Sequence, residues 1–232
     1  TLPLTLFPYT TLFRSQSWQQ RRAIVKNRIK DIAENLLKTA AKRKLEKGDV
    51  LIPNSFEYEK FSSEFEFTET SDQLKSIQQI ENDLASGTPM DRLICGDVGF
   101  GKTEIAMRAS FISALSNKQT IILSPSTVLT EQHFESFSKR FKNFPITIEK
   151  LSRNTSLKVK KKLYKDFRDK KIDILIGTHA LFNEDLSFKN VGLLVVDEEH
   201  RFGAKQKNLI KNKQLSTHIL FMSATPIPKT MN

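Results

Sequence analysis

Gly96-Asp-Val-Gly-Phe-Gly-Lys102-Thr103 is the stretch that decides the fold class of this chain. It fits G-x-x-x-x-G-K-[ST], in which glycines let the backbone curl so that successive N–H groups and a helix N-terminus face a phosphate. It sits between the apolar run Arg92-Leu-Ile-Cys95 and the helix-like run Glu104-Ile-Ala-Met-Arg-Ala-Ser110, which is where such a loop belongs. In such a loop Gly96, Asp97, Val98, Gly99, Phe100, Gly101 and Glu104 surround the ligand. Lys102 reaches its β- and γ-phosphates, and the Thr103 hydroxyl ligates magnesium. The cofactors expected are ATP and Mg²⁺.

A second stretch, Leu193-Leu-Val-Val-Asp197-Glu198-Glu199-His200, supplies the other half of such a site. Four apolar residues ending in an acid read as a central parallel strand that delivers Asp197 to the carboxyl edge of a sheet. There Asp197 is expected to hold the metal through its water shell. Glu198, one residue further on, is placed to orient and deprotonate an attacking water. An acidic cluster by itself is as often a solvated turn; the phosphate loop in the same chain decides against that.

Composition bounds the answer. The chain has 232 residues, 38% hydrophobic and 27% charged, enough for one large α/β domain and an appendage. Its net charge of +11 and pI near 9.7 favour a polyanionic partner, without separating DNA from RNA or an acidic membrane surface. The single cysteine, Cys95, excludes an internal disulfide; in the strand feeding the loop it is expected to be a buried, inert thiol, as fits a reducing cytoplasm. No apolar run approaches the ~20 residues of a membrane-spanning helix. Residues 1–15 lack the basic start and cleavage site of a signal peptide. They read instead as the translation of a sequencing adapter, and are set outside the fold. The end at Asn232 is expected to continue into further protein.

Along the chain, residues 16–48 read as a long amphipathic helix with apolar positions Val25, Ile29, Ile32, Ala33, Leu36, Leu37 and Ala40. Between Gln16 and Lys47 it holds ten Lys/Arg against three acids. It is either a helix docked on the core with a basic solvated face or a connector or DNA-facing arm. Residues 49–69, rich in Glu and Phe, read as an acidic linker into a domain over 70–232. From there helices and apolar strands alternate, with helices near 71–86, from 102, and near 127–141, 155–169 and 203–211. Strands are expected at 92–95, 120–123, 146–149, 172–176, 193–196 and 218–222. That order predicts βαβ units and a mainly parallel α/β sheet covered on both faces, a RecA-like lobe.

The subclass comes from the segments at the ends of the other strands. Ser124-Pro-Ser-Thr127, Gly177-Thr178-His179 and Ser223-Ala224-Thr225-Pro226 each put hydroxyl residues just after a strand, where they can meet phosphates. Their order, with Asp197-Glu-Glu-His200 between the last two, resembles the superfamily-two helicases. Met90 to Glu104, Ile174 to His179, Val195 to Gly203 and Ser223 to Pro228 look more narrowly like the bacterial transcription-repair coupling factors. Phe100 within the loop favours these over the related RecG-type helicases, and the basic helix is similar to their relay helix.

The resemblance implies an ATP-dependent translocase on double-stranded DNA that displaces stalled RNA polymerase and recruits excision-repair proteins through domains outside this stretch. It implies a cytoplasmic, monomeric enzyme with no membrane partner. Residue by residue, it makes Gln73 the adenine reader, Lys102 and Thr103 the phosphate and magnesium ligands, Asp197 the metal carboxylate and Glu198 the catalytic base. Glu199, His200, Ser223, Ala224 and Thr225 would couple the site to DNA, and Thr127, Arg153, Thr178 and His179 would face the DNA backbone. The run Lys158 to Lys165 reads as a solvated helix face. Asn154, Ala204 to Lys207 and Lys229 depart from the pattern. The alternatives are a RecG-like fork-reversing helicase and a non-catalytic, nucleotide-gated binding module.

Overall fold

The computed structural model describes residues 16–52, 55–152, 155–178, 181, 186–198, 201–202 and 216–224. Residues 1–15, Arg153, Asn154, His179, Glu199, His200, Thr225, Lys229 and the helix expected near 203–211 lie outside these. The chain divides into two compact units, Thr1–Lys42 and Arg43–Asn232. Helix α1, Gln16–Leu45, occupies the described part of the first and reaches into the start of the second. Its apolar side chains Ile24, Val25, Ile29 and Leu37 are exposed.

The second unit continues with α2 (Ser55–Ser63), α3 (Ser71–Ala85), β1 (Asp91–Cys95), α4 (Lys102–Leu115), β2 (Gln119–Leu123) and α5 (Thr127–Arg140). It ends with β3 (Ile148–Leu151), α6 (Leu157–Arg168), β4 (Ile174–Gly177), β5 (Val191–Asp197) and β6 (His218–Ser223). Local sequence accounts for the helix starts. Thr70 and Gln73 form a reciprocal capping box on α3, and Ser126 and Ser156 accept from the third residue of α5 and α6. Behind the α3 cap, Ile77, Ile80 and Leu84 recur at helical spacing and are all buried.

The six strands form one parallel sheet in the order β1-β6-β5-β2-β4-β3. Because side chains alternate along a strand, the apolar runs feed two cores at once. Leu193, Val195, Leu220 and Met222 pack on one face with α3 and α4, and Leu194, Val196, Ile219 and Phe221 on the other with α6. Every residue of β2, β4, β5 and β6 is buried.

Three expectations are corrected. Cys95 is exposed, because β1 is an edge strand among the described residues and mainly Ile94 faces inward. The stretch read as an acidic linker contains α2, whose Phe61 is fully buried and stacks on Phe111 at 4.2 Å. Alternating acids and aromatics hid that helix, since its charges face outward and its one anchor pairs across the fold. Strand β3 begins two residues later than expected. Ile146 N donates to Phe144 O at 2.8 Å in a turn, and Thr147 N to the Asp173 carboxylate at 2.8 Å, before the ladder starts.

Candidate nucleotide site

A parallel sheet puts all its carboxyl ends on one edge, and here that edge collects the strand-end segments. In register, Cys95 lies opposite Ser223 and Asp197 opposite Met222, while Leu123 lies opposite both Val196 and Gly177. Thus residues 96, 124, 178, 198 and 224, far apart in sequence, start their loops side by side. The Gly96 amide donates to Ser223 O at 3.2 Å, so the phosphate-type loop rests directly on the end of β6.

The loop has the backbone its sequence predicts. Gly99 and Gly101 adopt φ of 89° and 72°, a region open to glycine. Gly101 is the N-cap of α4 and supplies no side-chain cap, leaving that helix start suited to an anion. Lys102 folds back so that its Nζ donates to the carbonyls of Gly96 and, at 2.8 Å, Asp97. Its ammonium is therefore already within the curl of the loop. A cation, a glycine-shaped backbone and an uncapped helix start are together a donor set that fits a phosphate chain.

Asp197 ends β5 nearly buried, and its Oδ2 is bonded to His133 Nε2 at 2.8 Å. Glu198 is next in the chain, half-buried with φ of 52°, an uncommon backbone for a non-glycine residue that turns the chain at the sheet edge. Among the described residues no cluster of three or more His, Cys, Asp or Glu forms a metal cage. Magnesium binds through one or two protein oxygens plus phosphates. Thr103, half-buried in the first turn of α4, is the second oxygen in the expected set.

Beside the loop opens a cleft of about 830 Å³ lined by Phe65, Phe67, Thr70, Gln73, Phe100, Thr103, Met107 and Arg140, among others. Gln73 spans it from both ends of its amide. Its Oε1 accepts from Thr70 N at 2.8 Å and its Nε2 donates to Phe100 O at 2.8 Å. A Cβ on Gly101 would meet that Nε2, the movable end of a side chain, so it is the φ of 72° that calls for glycine there. Phe65 and Phe67, edge to face at 5.6 Å, form an aromatic wall that linker composition did not reveal.

The floor of the cleft is a charge network. Arg140 donates to both oxygens of Glu104, at 2.9 and 3.1 Å, and Arg108 to Glu104 at 3.0 Å and to Glu69. Burial opposes the charge of Arg108, but its bonds to Glu104 and Glu69 prevail and hold its pKa above the ordinary value. Glu69 is held below its ordinary range, first by its own backbone amide and then by Arg108. Glu104 therefore points into this network rather than only toward the loop.

Of the residues expected to face a nucleic-acid backbone, Thr127 is half-buried in the first turn of α5. Thr178 is only 2% exposed and its carbonyl accepts from Leu181 N at 2.9 Å. In this conformation it is packed at the end of β4. Ser223 is buried and Ala224 half-buried, both beside the phosphate-type loop. Arg153, His179, Glu199, His200 and Thr225 lie outside the described residues. Sequence reading missed His133, Arg140, Phe65 and Phe67; a histidine in the buried stripe Thr130, His133, Phe137 was the available signal.

The DEAD/DEAH box helicase family profile matches residues 70–232. The chain is 47% identical over 219 residues to the transcription-repair-coupling factor of Borreliella burgdorferi, covering 94% of this chain and 19% of that protein. It is 43% identical over 216 residues to the Escherichia coli factor, covering 93% and 19%. The chain thus spans about a fifth of the length of these curated relatives. Among solved structures, RecG bound to a three-way DNA junction superposes with a TM-score of 0.73 and 37% identity, covering 84% of this chain and 26% of RecG. The helicase MrfA shares the fold, with a TM-score of 0.59 at 16% identity, covering 76% of this chain and 30% of MrfA. With a phosphate-type loop and an acid-tipped strand on one edge of a parallel sheet, and a profile match over that whole lobe, the chain belongs to the DEAD/DEAH box helicase family.

Proposed function

We propose that this chain is the first motor lobe of an ATP-driven translocase on double-stranded DNA, of the transcription-repair-coupling kind. The observation that carries the reading is the shared sheet edge, where the loop of Lys102, the Asp197 carboxylate and the end of β6 meet. Identity of 43–48% to coupling factors, against 37% to RecG, favours that kind over a fork-reversing helicase.

In this reading Lys102 leaves the Gly96 and Asp97 carbonyls to bind the β- and γ-phosphates. Thr103 and Asp197 hold Mg²⁺, whose charge offsets that of the phosphates when bound. Glu198 takes the proton of the attacking water. Gln73 reads the adenine edge, and Phe67 offers a ring for the base to rest on. Ser223, bonded to the loop through its carbonyl, and Ala224 after it carry the state of the site toward the DNA-facing side, where Thr127 opens α5. RNA polymerase and excision-repair proteins would be engaged by segments outside this lobe, in a cytoplasmic setting. Motors of this type complete the site with an arginine from a second lobe, and lack of such a group costs ~10³ to 10⁵ in turnover.

The test is equilibrium binding and turnover by the chain itself. Mg²⁺-dependent ATP binding, slow hydrolysis and salt-sensitive binding of duplex DNA are expected, the last because a basic protein releases counterions from the phosphate backbone. Binding of protein partners with no affinity for duplex DNA would favour the nucleotide-gated module instead. Fast DNA-stimulated turnover that survives Lys102→Ala would sink the assignment.

A further inference from the structure

Nothing in the assigned roles uses His133, yet it touches the carboxylate on which the metal site depends. Its Nε2 lies 2.8 Å from Asp197 Oδ2, with both side chains 11% exposed. A carboxylate can only accept, so Nε2 carries the proton and donates. The ring also packs edge to face with Phe137, their centroids 6.5 Å apart. Its helix is also fixed at the sheet edge. Ser124 Oγ and Thr130 Oγ1 share a hydrogen bond at 2.5 Å, Thr130 Oγ1 donates to Ser126 O at 2.9 Å, and Ser126 caps Leu129 N at 3.2 Å. The two polar residues of the buried stripe on α5 are thus both committed, one to the end of β2 and the other to the end of β5.

We propose that His133 is the positioning residue of the metal site: it occupies Oδ2 of Asp197 and so turns Oδ1 toward the magnesium shell. The inference rests on Asp197 being the metal carboxylate. A group that donates to a ligating carboxylate fixes its orientation and is typically worth about 10- to 100-fold in metal affinity. The same bond makes α5 a mechanical link. Thr127 opens the helix that carries His133, so any force that shifts α5 at its start also shifts the grip on Asp197.

The experiment titrates fluorescent N-methylanthraniloyl-ADP into the whole chain, with Mg²⁺ or with EDTA. His133→Met keeps the length of the side chain without a donor, and His133→Gln puts an amide N–H near the place of Nε2. We expect the Mg²⁺-dependent gain in affinity to shrink about tenfold in His133→Met and return to within about threefold in His133→Gln, with EDTA affinities equal throughout. A gain undiminished in His133→Met overturns the proposal, as does an equal loss with EDTA, which would mark a merely structural role.

Should the variants fail to fold, ¹⁵N-histidine spectra of the unaltered chain decide. The His133 Nε2 signal should move when Mg²⁺ is added to the ADP-bound protein, and a signal that stays put overturns the proposal. If the unaltered chain binds no nucleotide, the site reading falls and takes this inference with it. If it binds with a Mg²⁺ gain that ignores His133, only this inference falls.

Discussion

Gln73 donates through Nε2 to the carbonyl of Phe100 at 2.8 Å, joining the start of α3 to the phosphate-type loop. The same amide closes the capping box with Thr70, so one side chain sets both the helix start and the distance from that helix to the loop. Replacing it by glutamate separates the two roles, because glutamate at this position keeps the box but cannot donate to a carbonyl. Gln73→Glu is expected to leave the melting temperature nearly unchanged while weakening adenine-nucleotide binding about tenfold, the value of one lost hydrogen bond. Gln73→Ala should lose both, adding roughly 1 kcal/mol of destabilisation. Calorimetry and nucleotide titration on the two variants check this.

Among the described residues Lys102 has only backbone carbonyls as partners, and removing it should hardly disturb the fold. Lys102→Ala is expected to cost under about 1 kcal/mol in stability yet weaken ATP binding by about 10- to 100-fold, since hydrogen bonds to charged groups are worth ~1.5–3 kcal/mol. Titration with a fluorescent ATP analogue reads the second effect, and urea unfolding the first.

Glu104 is shared by two arginines, with side chains 8% exposed for Glu104, 6% for Arg108 and 11% for Arg140. Taking away the shared carboxylate leaves Arg108 with Glu69 and Arg140 with the carbonyl of Phe61, two cations close together with little water. Glu104→Ala should destabilise the lobe by about 3–5 kcal/mol, whereas breaking the half-exposed Arg92–Asp83 pair by Arg92→Ala should cost about 1 kcal/mol or less. Equal losses in urea melts of the two variants would refute the network's importance.

His218 is fully buried, its Nδ1 accepting from Met90 N at 3.1 Å and its Nε2 donating to Asp49 O at 2.7 Å. Burial lowers its pKa below the ordinary 6.5, against the pull of the Asp49 carbonyl and the Asp49 and Asp83 charges and with the help of Arg43. The unfolded chain therefore takes up the proton first as pH falls. The stabilising contribution is complete above the unfolded pKa of about 6.5 and is lost as pH drops from there toward the folded pKa. Melting temperatures from about pH 7.5 to 5.5 should fall more steeply for the unaltered chain than for His218→Gln, which keeps a donor but cannot titrate.

Phe61 ties α2 to the core through its stack on Phe111, with the Arg140 guanidinium 3.9 Å from its ring centroid. Phe61→Ala should cost about 3–5 kcal/mol, as for other buried aromatics. A loss under about 1 kcal/mol in chemical denaturation would mean that 55–63 is a linker after all.

The strands were legible because a parallel sheet buried on both faces writes each strand as an apolar run, as in Leu193 to Val196 and Ile174 to Ile176. The loop at Gly96–Thr103 was legible because its chemistry is contained in eight adjacent residues whose glycines have a backbone reason to be there. Helix α2 was not legible, since its burial depends on a ring supplied by α4. Nor was the exposure of Cys95, because position within a sheet is not a property of the strand's own sequence.

What the sequence determined by itself is therefore local and periodic: which segments are strands and where the phosphate-type loop turns. Tertiary structure alone decided which distant groups meet. It brought His133 to Asp197 across 64 positions, Arg140 to Glu104 across 36 and Arg43 to Thr217 across 174. The physical reason is that a charge or donor inside a fold is placed by the need to satisfy it. Its partner is whichever group the strand order brings within reach, and strand order is written in no single stretch of the chain.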